Sequence, residues 1–264
     1  MIFDIIYFYE KFVIINKMII YCFGCMKMAN ENGTKPKIDI NGIRSIIREY
    51  FVVAIGAIVL FLSSGTMNWL RGWIYIAIVF LYQTIYILML ALINPQLLNE
   101  RGIINWKETK VYDKAFVILY SLFSFSILVI AGFDVVRFGW SNMPYVVIYP
   151  GAVIFIIGAV FALSAYISNN SFMLTHRENK VSNQKVCKTG PYKIIRHPGY
   201  FGAVLTLISY PILLGSFFSF IPVVVCIMLF FIRTYLEDNT LQRELEGYQK
   251  YTKEVKHRLI PFVW

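Results

Sequence analysis

The stretch GWIYIAIVFLYQTIYILMLALINPQLLN, residues 72–99, runs for 28 residues without a charge between Arg71 and Glu100. A helix crossing roughly 30 Å of hydrocarbon needs about 20 apolar residues. This stretch is therefore long enough to span a bilayer before it turns at Asn94-Pro95. Glu49 and Arg71 enclose 21 uncharged residues, Lys114 and Asp134 enclose 19, Arg137 and Arg177 enclose 39, and Arg196 and Arg233 enclose 36, with histidine taken as neutral. Over the whole chain of 264 residues 58% are apolar and 15% charged, against about half and about a quarter in a typical soluble domain. An ordinary soluble enzyme, a disordered chain and a secreted disulfide scaffold are excluded. The expected fold class is all-α, that of a polytopic membrane protein.

Six spans are expected, at about 48–67, 71–94, 114–134, 144–168, 199–215 and 217–234. The first ends at Ser63-Ser64-Gly65, and Pro150-Gly151 falls about a turn and a half inside the fourth, where neighbours must satisfy the freed carbonyl. The 36-residue window after Arg196 is too long for one helix and short for two, so Pro211 and Gly215-Ser216 divide it into a tight helical hairpin. Trp69 and Trp73 stand where interfacial aromatics belong. From Leu236 onward Leu241, Leu245, Tyr248, Tyr251 and Val255 recur at the helical period, which predicts a C-terminal amphipathic cytosolic helix. The organisation is then an N-terminal cytosolic or interfacial segment (1–47), four transmembrane helices (48–168) and a C-terminal unit (169–264) of polar loop, hairpin and helix. Asp4, Glu10, Lys11 and Lys17 interrupt the first apolar run, so no cleavable signal peptide is evident. Residues 1–27 read as an interfacial helix, an extra span, or sequence upstream of a start at Met28.

The net charge of +10 is explained by placement and not by a nucleic-acid partner. Segments 24–48, 96–114, 169–198 and 233–264 carry 21 of the 25 Lys and Arg residues. With six spans these segments share one side, and the opposite loops carry only Arg71 and Arg137. Basic residues concentrate on the cytosolic side, so both termini are expected there. Cys22, Cys25, Cys187 and Cys226 make no metal spacing with His176, His197 and His257, and Cys22-Phe-Gly-Cys25 lacks the βαβ context of a redox motif. No metal is expected.

The stretch richest in chemistry is KTGPYKIIRHPGYFG, residues 188–202. Gly190-Pro191 signals a turn, and His197-Pro198-Gly199 places an imidazole where a loop enters a helix. Pro198 suits the first helical turn, whose free N–H groups favour an anionic ligand group. Gly199 and Gly202 allow a ligand or another helix to approach closely. The plainer reading is a loop of basic headgroup anchors with a turn-forming proline. At the end of the last span, Arg233 and Glu237 are four residues apart and share a helix face. Charge at the membrane boundary is expensive unless it faces protein or a water-filled cavity, which makes them a candidate site as well as a simple ion pair.

In this order and spacing the two segments resemble the isoprenylcysteine carboxyl methyltransferase family of integral-membrane methyltransferases. The matching run is Gly190, Tyr192, Arg196-His197-Pro198, Tyr200 and Gly202. It continues through Arg233, Glu237, Leu241, Glu244, Tyr248 and Tyr251 to Arg258 and Phe262. The resemblance covers roughly 165–264, and upstream Trp69, Trp73, Pro95 and Arg101 look like the longer microbial members. It implies that 169–264 is a methyltransferase core with a cytosolic S-adenosylmethionine pocket open to a lipid substrate. It implies cofactor-binding positions at Arg177, Gln184, Lys185, Val186, Cys187, Tyr192, His197, Pro198, Gly199, Tyr200 and Glu237. The substrate-orienting arginine falls on Arg233, and Arg233, Glu237 and His197 carry the catalysis. Characterised relatives often have Gln where Arg177 stands, His where Gln184 stands, and a second Glu where Asp238 stands.

A carboxylate acceptor is already ionised at neutral pH, so its methylation needs positioning and exclusion of water and no general base. An amine acceptor would have to lose a proton, with His197 or Glu237 as base. The expected partners are membrane lipids and a lipidic or prenylated substrate within the bilayer. The competing readings are a lipid-amine (phospholipid) N-methyltransferase, an NADPH-dependent sterol-type reductase and a non-catalytic membrane protein.

Overall fold

The structure, a computed structural model, describes residues 37–103, 106–107, 109–169 and 186–264. Helix α1 covers Ile40–Ser64, and Asp39 caps it by accepting hydrogen bonds from the N–H groups of Asn41 (2.7 Å) and Gly42 (3.0 Å). This cap starts the helix well before residue 48, inside the stretch expected to precede the bundle. Helix α1 ends at Gly65, whose φ of 73° closes the last turn. Helix α2 (Leu70–Ile93) stops at Asn94, and the Asn94 side chain then accepts from the Leu97 N–H at 3.1 Å to start α3 (Pro95–Gly102). Asparagine at the cap followed by proline is a strong start signal, and it turns an expected polar connection into a short helix.

Helix α4 (Val111–Ala131) continues into a π-helical turn at Gly132–Arg137. Helix α5 (Ile148–Ser168) is entered through a 3-10 turn at Tyr145–Val147. Pro150 therefore lies in the first α-helical turn, about a turn and a half into the helical segment Tyr145–Ser168, as expected. Helix α6 covers Pro198–Leu214 and passes straight through Pro211; the break comes at Gly215, with φ 82°. Helix α7 (Phe220–Glu244) runs without interruption well past residue 234.

Among the described residues five segments are long and apolar enough to cross a membrane: Ile40–Ser64, Leu70–Ile93, Val111–Arg137, Tyr145–Ser168 and Phe220–Glu244. Helix α6, with 17 residues, is about 25 Å long and is the short arm of the hairpin. The chain is an integral membrane protein. Hydrogen bonds between distant segments define the two ends of the bundle. At one end Asp39 N–H donates to Asn99 (3.1 Å). At the other, the Arg137 guanidinium donates to the carbonyls of Ser63 (2.6 Å) and Leu62 (3.0 Å), while Arg71 donates to those of Met143 (2.6 Å) and Ile212 (3.3 Å). The two isolated basic residues thus hold carbonyls near the ends of α1 and α6, which a helix end leaves unsatisfied. Helices α1, α4 and α6 run toward this end; α2, α5 and α7 return.

Helices α5 and α6 approach until backbones touch. A Cβ at Gly202 would lie 2.5 Å from the Gly158 carbonyl oxygen and 2.6 Å from Ala162 N, so only glycine fits. Gly202 serves the second of the two uses expected of it, the approach of a helix.

The expected continuous C-terminal helix is broken. Helix α7 ends at Glu244, Gly247 adopts φ 79°, and a separate seven-residue helix α8 covers Tyr248–Glu254. Leu241, Leu245, Tyr248, Tyr251 and Val255 nevertheless form one buried cluster, with Val186 packed against it. The apolar period identifies the buried face, while the kink at Gly247 folds that face back on itself.

Candidate functional site

Helix α6 begins at the same end of the bundle as the polar half of α7. His197 is its N-cap residue and makes no side-chain capping bond, and Pro198 takes the first helical position. The backbone ahead of it is pinned from outside the helix. Arg196 N–H donates to the His257 carbonyl (3.0 Å) and His197 N–H to the Arg258 carbonyl (2.9 Å). The C-terminal segment therefore runs alongside the loop as a strap. Leu259, fully buried among Tyr200, Leu207 and Phe230, fastens that strap to the hairpin.

Across the gap α7 presents Arg233, Glu237 and Asp238, all buried. The Tyr200 hydroxyl donates to Glu237 Oε2. His197 Nδ1 is 3.8 Å from Glu237 Oε1, and His197 Nε2 is 3.5 Å from Asp238 Oδ1, so the imidazole stands between two carboxylates. Its ring stacks on that of Tyr200 with centroids 5.5 Å apart. His197, Pro198, Gly199, Tyr200, Arg233 and Glu237 are thus brought together at one end of the hairpin.

Asp238 is the hub of this region, and it is fully buried. Arg196 Nε lies 3.1 Å from Oδ1 and Arg258 Nε 3.0 Å from Oδ2. The Tyr248 hydroxyl donates to Oδ1 (2.9 Å) and the Gln242 amide to Oδ2 (2.9 Å). A buried charge is tolerated when it is paired and hydrogen-bonded, and Asp238 has both kinds of partner. Arg258 also packs over Trp264 and Tyr235, at 5.4 and 5.5 Å from the ring centres.

Arg233 has a partner that the sequence gives no means of choosing. Its Nε is 3.1 Å from Asp113 Oδ1 on α4, against 3.9 Å from Glu237 Oε2 one turn away on its own helix. Its guanidinium lies over the rings of Phe116 (4.3 Å) and Tyr200 (5.1 Å). The local i,i+4 pair is the looser contact and the long-range pair the tighter one. An aspartate at the head of an apolar span reads locally as a helix-start residue, which is why nothing marks Asp113 for this site.

Tyr192, in the short turn Gly190–Lys193, is buried and accepts through its carbonyl from the Tyr251 hydroxyl at 2.6 Å. Burial pushes the phenols of Tyr192, Tyr248 and Tyr251 well above their ordinary value, so each stays protonated at neutral pH. Val186 packs on the α8 cluster, and the Cys187 thiol donates to the Ser168 carbonyl at 3.1 Å. These contacts place Val186 on the α8 cluster and Cys187 against the end of α5. Arg177, Gln184 and Lys185 lie outside the described residues, as do Cys22 and Cys25. Lys188 pairs with Glu254 (2.8 Å) and Lys110 with Glu244 (2.6 Å), both partly exposed contacts that tie loops to the end of α7 and to α8.

Long apolar helices ending in a buried arginine, histidine and carboxylate cluster define an integral-membrane protein with a polar site at one end of its bundle. Residues 151–243 match the family model of the isoprenylcysteine carboxyl methyltransferase (ICMT) family. The match runs from the first turn of α5 to the last turn of α7 and makes this segment similar to that family of membrane methyltransferases. It contains Arg196 through Tyr200 and Arg233 through Asp238, whereas Asp113, α8 and the strap lie outside it. No curated protein matches the chain.

Proposed function

We propose that the protein transfers a methyl group from S-adenosylmethionine to a membrane-embedded amphiphile, the carboxylate of an isoprenylcysteine-like lipid being the simplest acceptor. The observation that carries this reading is the meeting of the uncapped start of α6, at His197 to Tyr200, with Arg233 and Glu237 of α7. The residues fit the donor. An uncapped helix start favours an anionic group such as its carboxylate, and Glu237 suits its cationic and hydroxyl groups. When bound, S-adenosylmethionine supplies an electrophilic methyl on a sulfonium.

In this reading His197, Pro198, Gly199, Tyr200 and Glu237 hold the donor, together with Tyr192, Val186 and Cys187. Arg233 holds the anionic group of the acceptor through its planar fork. The site faces the cytosol, as do both termini, in keeping with the 21-to-2 distribution of basic residues. Catalysis rests on alignment and on exclusion of water, which can contribute several kcal/mol.

A second reading, methylation of a lipid amine, is favoured by one feature. Asp113 and Glu237 both lie within 4 Å of Arg233, so carboxylates are at hand to take an amine's proton, while Arg233 would hold the headgroup phosphate.

Calorimetry on the detergent-solubilised protein with S-adenosylmethionine and with NADPH tests the class. Binding of the first alone is expected, and binding of NADPH alone overturns the reading. Methyl transfer to N-acetyl-S-farnesylcysteine against transfer to phosphatidylethanolamine then separates the two acceptors.

A further inference from the structure

We infer that Asp113 is the positioning residue for the acceptor: it sets the orientation of Arg233 and through it the place of the acceptor's anionic group. The inference rests on the assignment of Arg233 to the acceptor and deepens it.

Three observations converge. Asp113 lies in the first turn of α4 and is 1% exposed, so its charge has been taken out of water. Its Oδ1 is 3.1 Å from Arg233 Nε, closer than Glu237 Oε2 at 3.9 Å. The guanidinium also lies over the rings of Phe116, one turn along α4 from Asp113, at 4.3 Å and of Tyr200 on α6 at 5.1 Å. Helix α4 therefore supplies both the charge and the aromatic platform for an arginine carried by α7.

The chemistry explains why an acceptor-binding arginine would be held this way. Arginine recognises carboxylate and phosphate through a rigid planar fork, and a fork is useful only if its direction is fixed. The side chain has many rotamers, and ordering it during binding would cost affinity. A carboxylate on Nε and rings on the faces remove that freedom beforehand. Two local alternatives fit less well. Glu237 is farther from Nε, at 3.9 Å, and is already engaged by the Tyr200 hydroxyl. Asp238 faces Arg196 and Arg258 on the other side of the helix end. Asp113 lies outside the residues matched by the family model, which begin at 151, so it is a contribution of the N-terminal half of this chain to a site otherwise built from its C-terminal half.

The full-length protein, loaded with S-adenosylhomocysteine, is titrated with N-acetyl-S-farnesylcysteine, and methyl transfer to the same probe is measured with the probe varied at saturating S-adenosylmethionine. Asp113→Asn keeps shape and removes charge. It is expected to weaken probe binding and raise the acceptor KM by about tenfold, as loss of a supporting partner loosens a site, with kcat and S-adenosylhomocysteine affinity within about twofold. Asp113→Glu should recover part of the loss. In the Arg233→Gln background Asp113→Asn should add nothing, because its effect runs through the arginine. Unchanged probe affinity in Asp113→Asn, an equal fall in nucleoside affinity, or additive effects in the double variant overturns the inference. If Asp113→Asn fails while Arg233→Gln weakens the probe, the assignment of Arg233 stands and only Asp113 is wrong. If Arg233→Gln leaves probe binding intact, the assignment of Arg233 falls and takes this inference with it.

Discussion

Glu237 and Asp238 are neighbours in sequence and both buried, yet their surroundings assign them different work. Asp238 meets Arg196, Arg258, Tyr248 and Gln242, four groups of this chain, within about 3 Å. Glu237 accepts from the Tyr200 hydroxyl and is approached more loosely by His197 and Arg233. Removing Asp238 strands the buried Arg196 and the half-buried Arg258, and breaking a buried pair costs about 3–5 kcal/mol. Asp238→Ala should therefore lower the thermal midpoint sharply. Glu237→Gln keeps an oxygen for Tyr200 and should leave the midpoint nearly unchanged, while loss of a charged hydrogen-bond partner weakens S-adenosylmethionine by about tenfold. Differential scanning fluorimetry paired with calorimetry separates the two effects. A stable Asp238→Ala protein, or a Glu237→Gln protein that binds normally, refutes this division. The sequence makes His197, Arg233 and Glu237 legible because motif and spacing isolate them. It leaves Asp113 and the centrality of Asp238 hidden, because both depend on partners from other elements.

Helix ends are legible wherever a nearby residue makes them. Gly65, Asn94-Pro95 and Gly215 each stop a helix at the position the sequence indicates. Pro211 is read less well, since the sequence sets it with Gly215-Ser216 as a divider of the hairpin but it lies inside α6 here. The kink at Gly247 escapes because the apolar period runs straight through it. A tight helix contact depends on residues with no side chain. The backbones of α5 and α6 meet at Gly158 and Gly202, where a methyl group would collide with backbone atoms at 2.5–2.9 Å. In a bilayer, where close packing of small residues drives helix association, Gly202→Ala must push the two helices apart. Overpacking of this kind costs about 1–3 kcal/mol. The first turn of α6 carries the site, so the displacement should appear as a lower thermal midpoint together with weaker cofactor binding. A Gly202→Ala protein matching the unaltered one in both would mean that the helices part without consequence.

Over the whole molecule the two ends of the bundle are both polar, but they are built differently, and that difference can be measured. At the end away from the site, the buried Asp134 accepts from the hydroxyls of Ser141 (2.6 Å) and Ser216 (2.5 Å) and from Phe218 N–H (3.4 Å). These bonds fasten the turn between α6 and α7 to the π-helical turn after α4. Asp134→Ala would leave those donors without their acceptor, at about 1–3 kcal/mol for each buried group stranded. At the site end the strap is fastened by Leu259, and Leu259→Ala removes a fully buried side chain at about 2–5 kcal/mol. Both substitutions should therefore lower the thermal midpoint by comparable amounts. Only the second loosens the carbonyls of His257 and Arg258 that hold Arg196 and His197 in place. S-adenosylmethionine affinity should fall in Leu259→Ala and stay within about twofold in Asp134→Ala, since sites that share no partners contribute independently. Calorimetry well below both midpoints removes unfolding from the comparison. Equal loss of affinity in the two variants would mean that the bundle transmits any loss of stability to the site. Affinity lost only in Leu259→Ala would mean that the pocket depends on its strap, a segment beyond the matched residues 151–243.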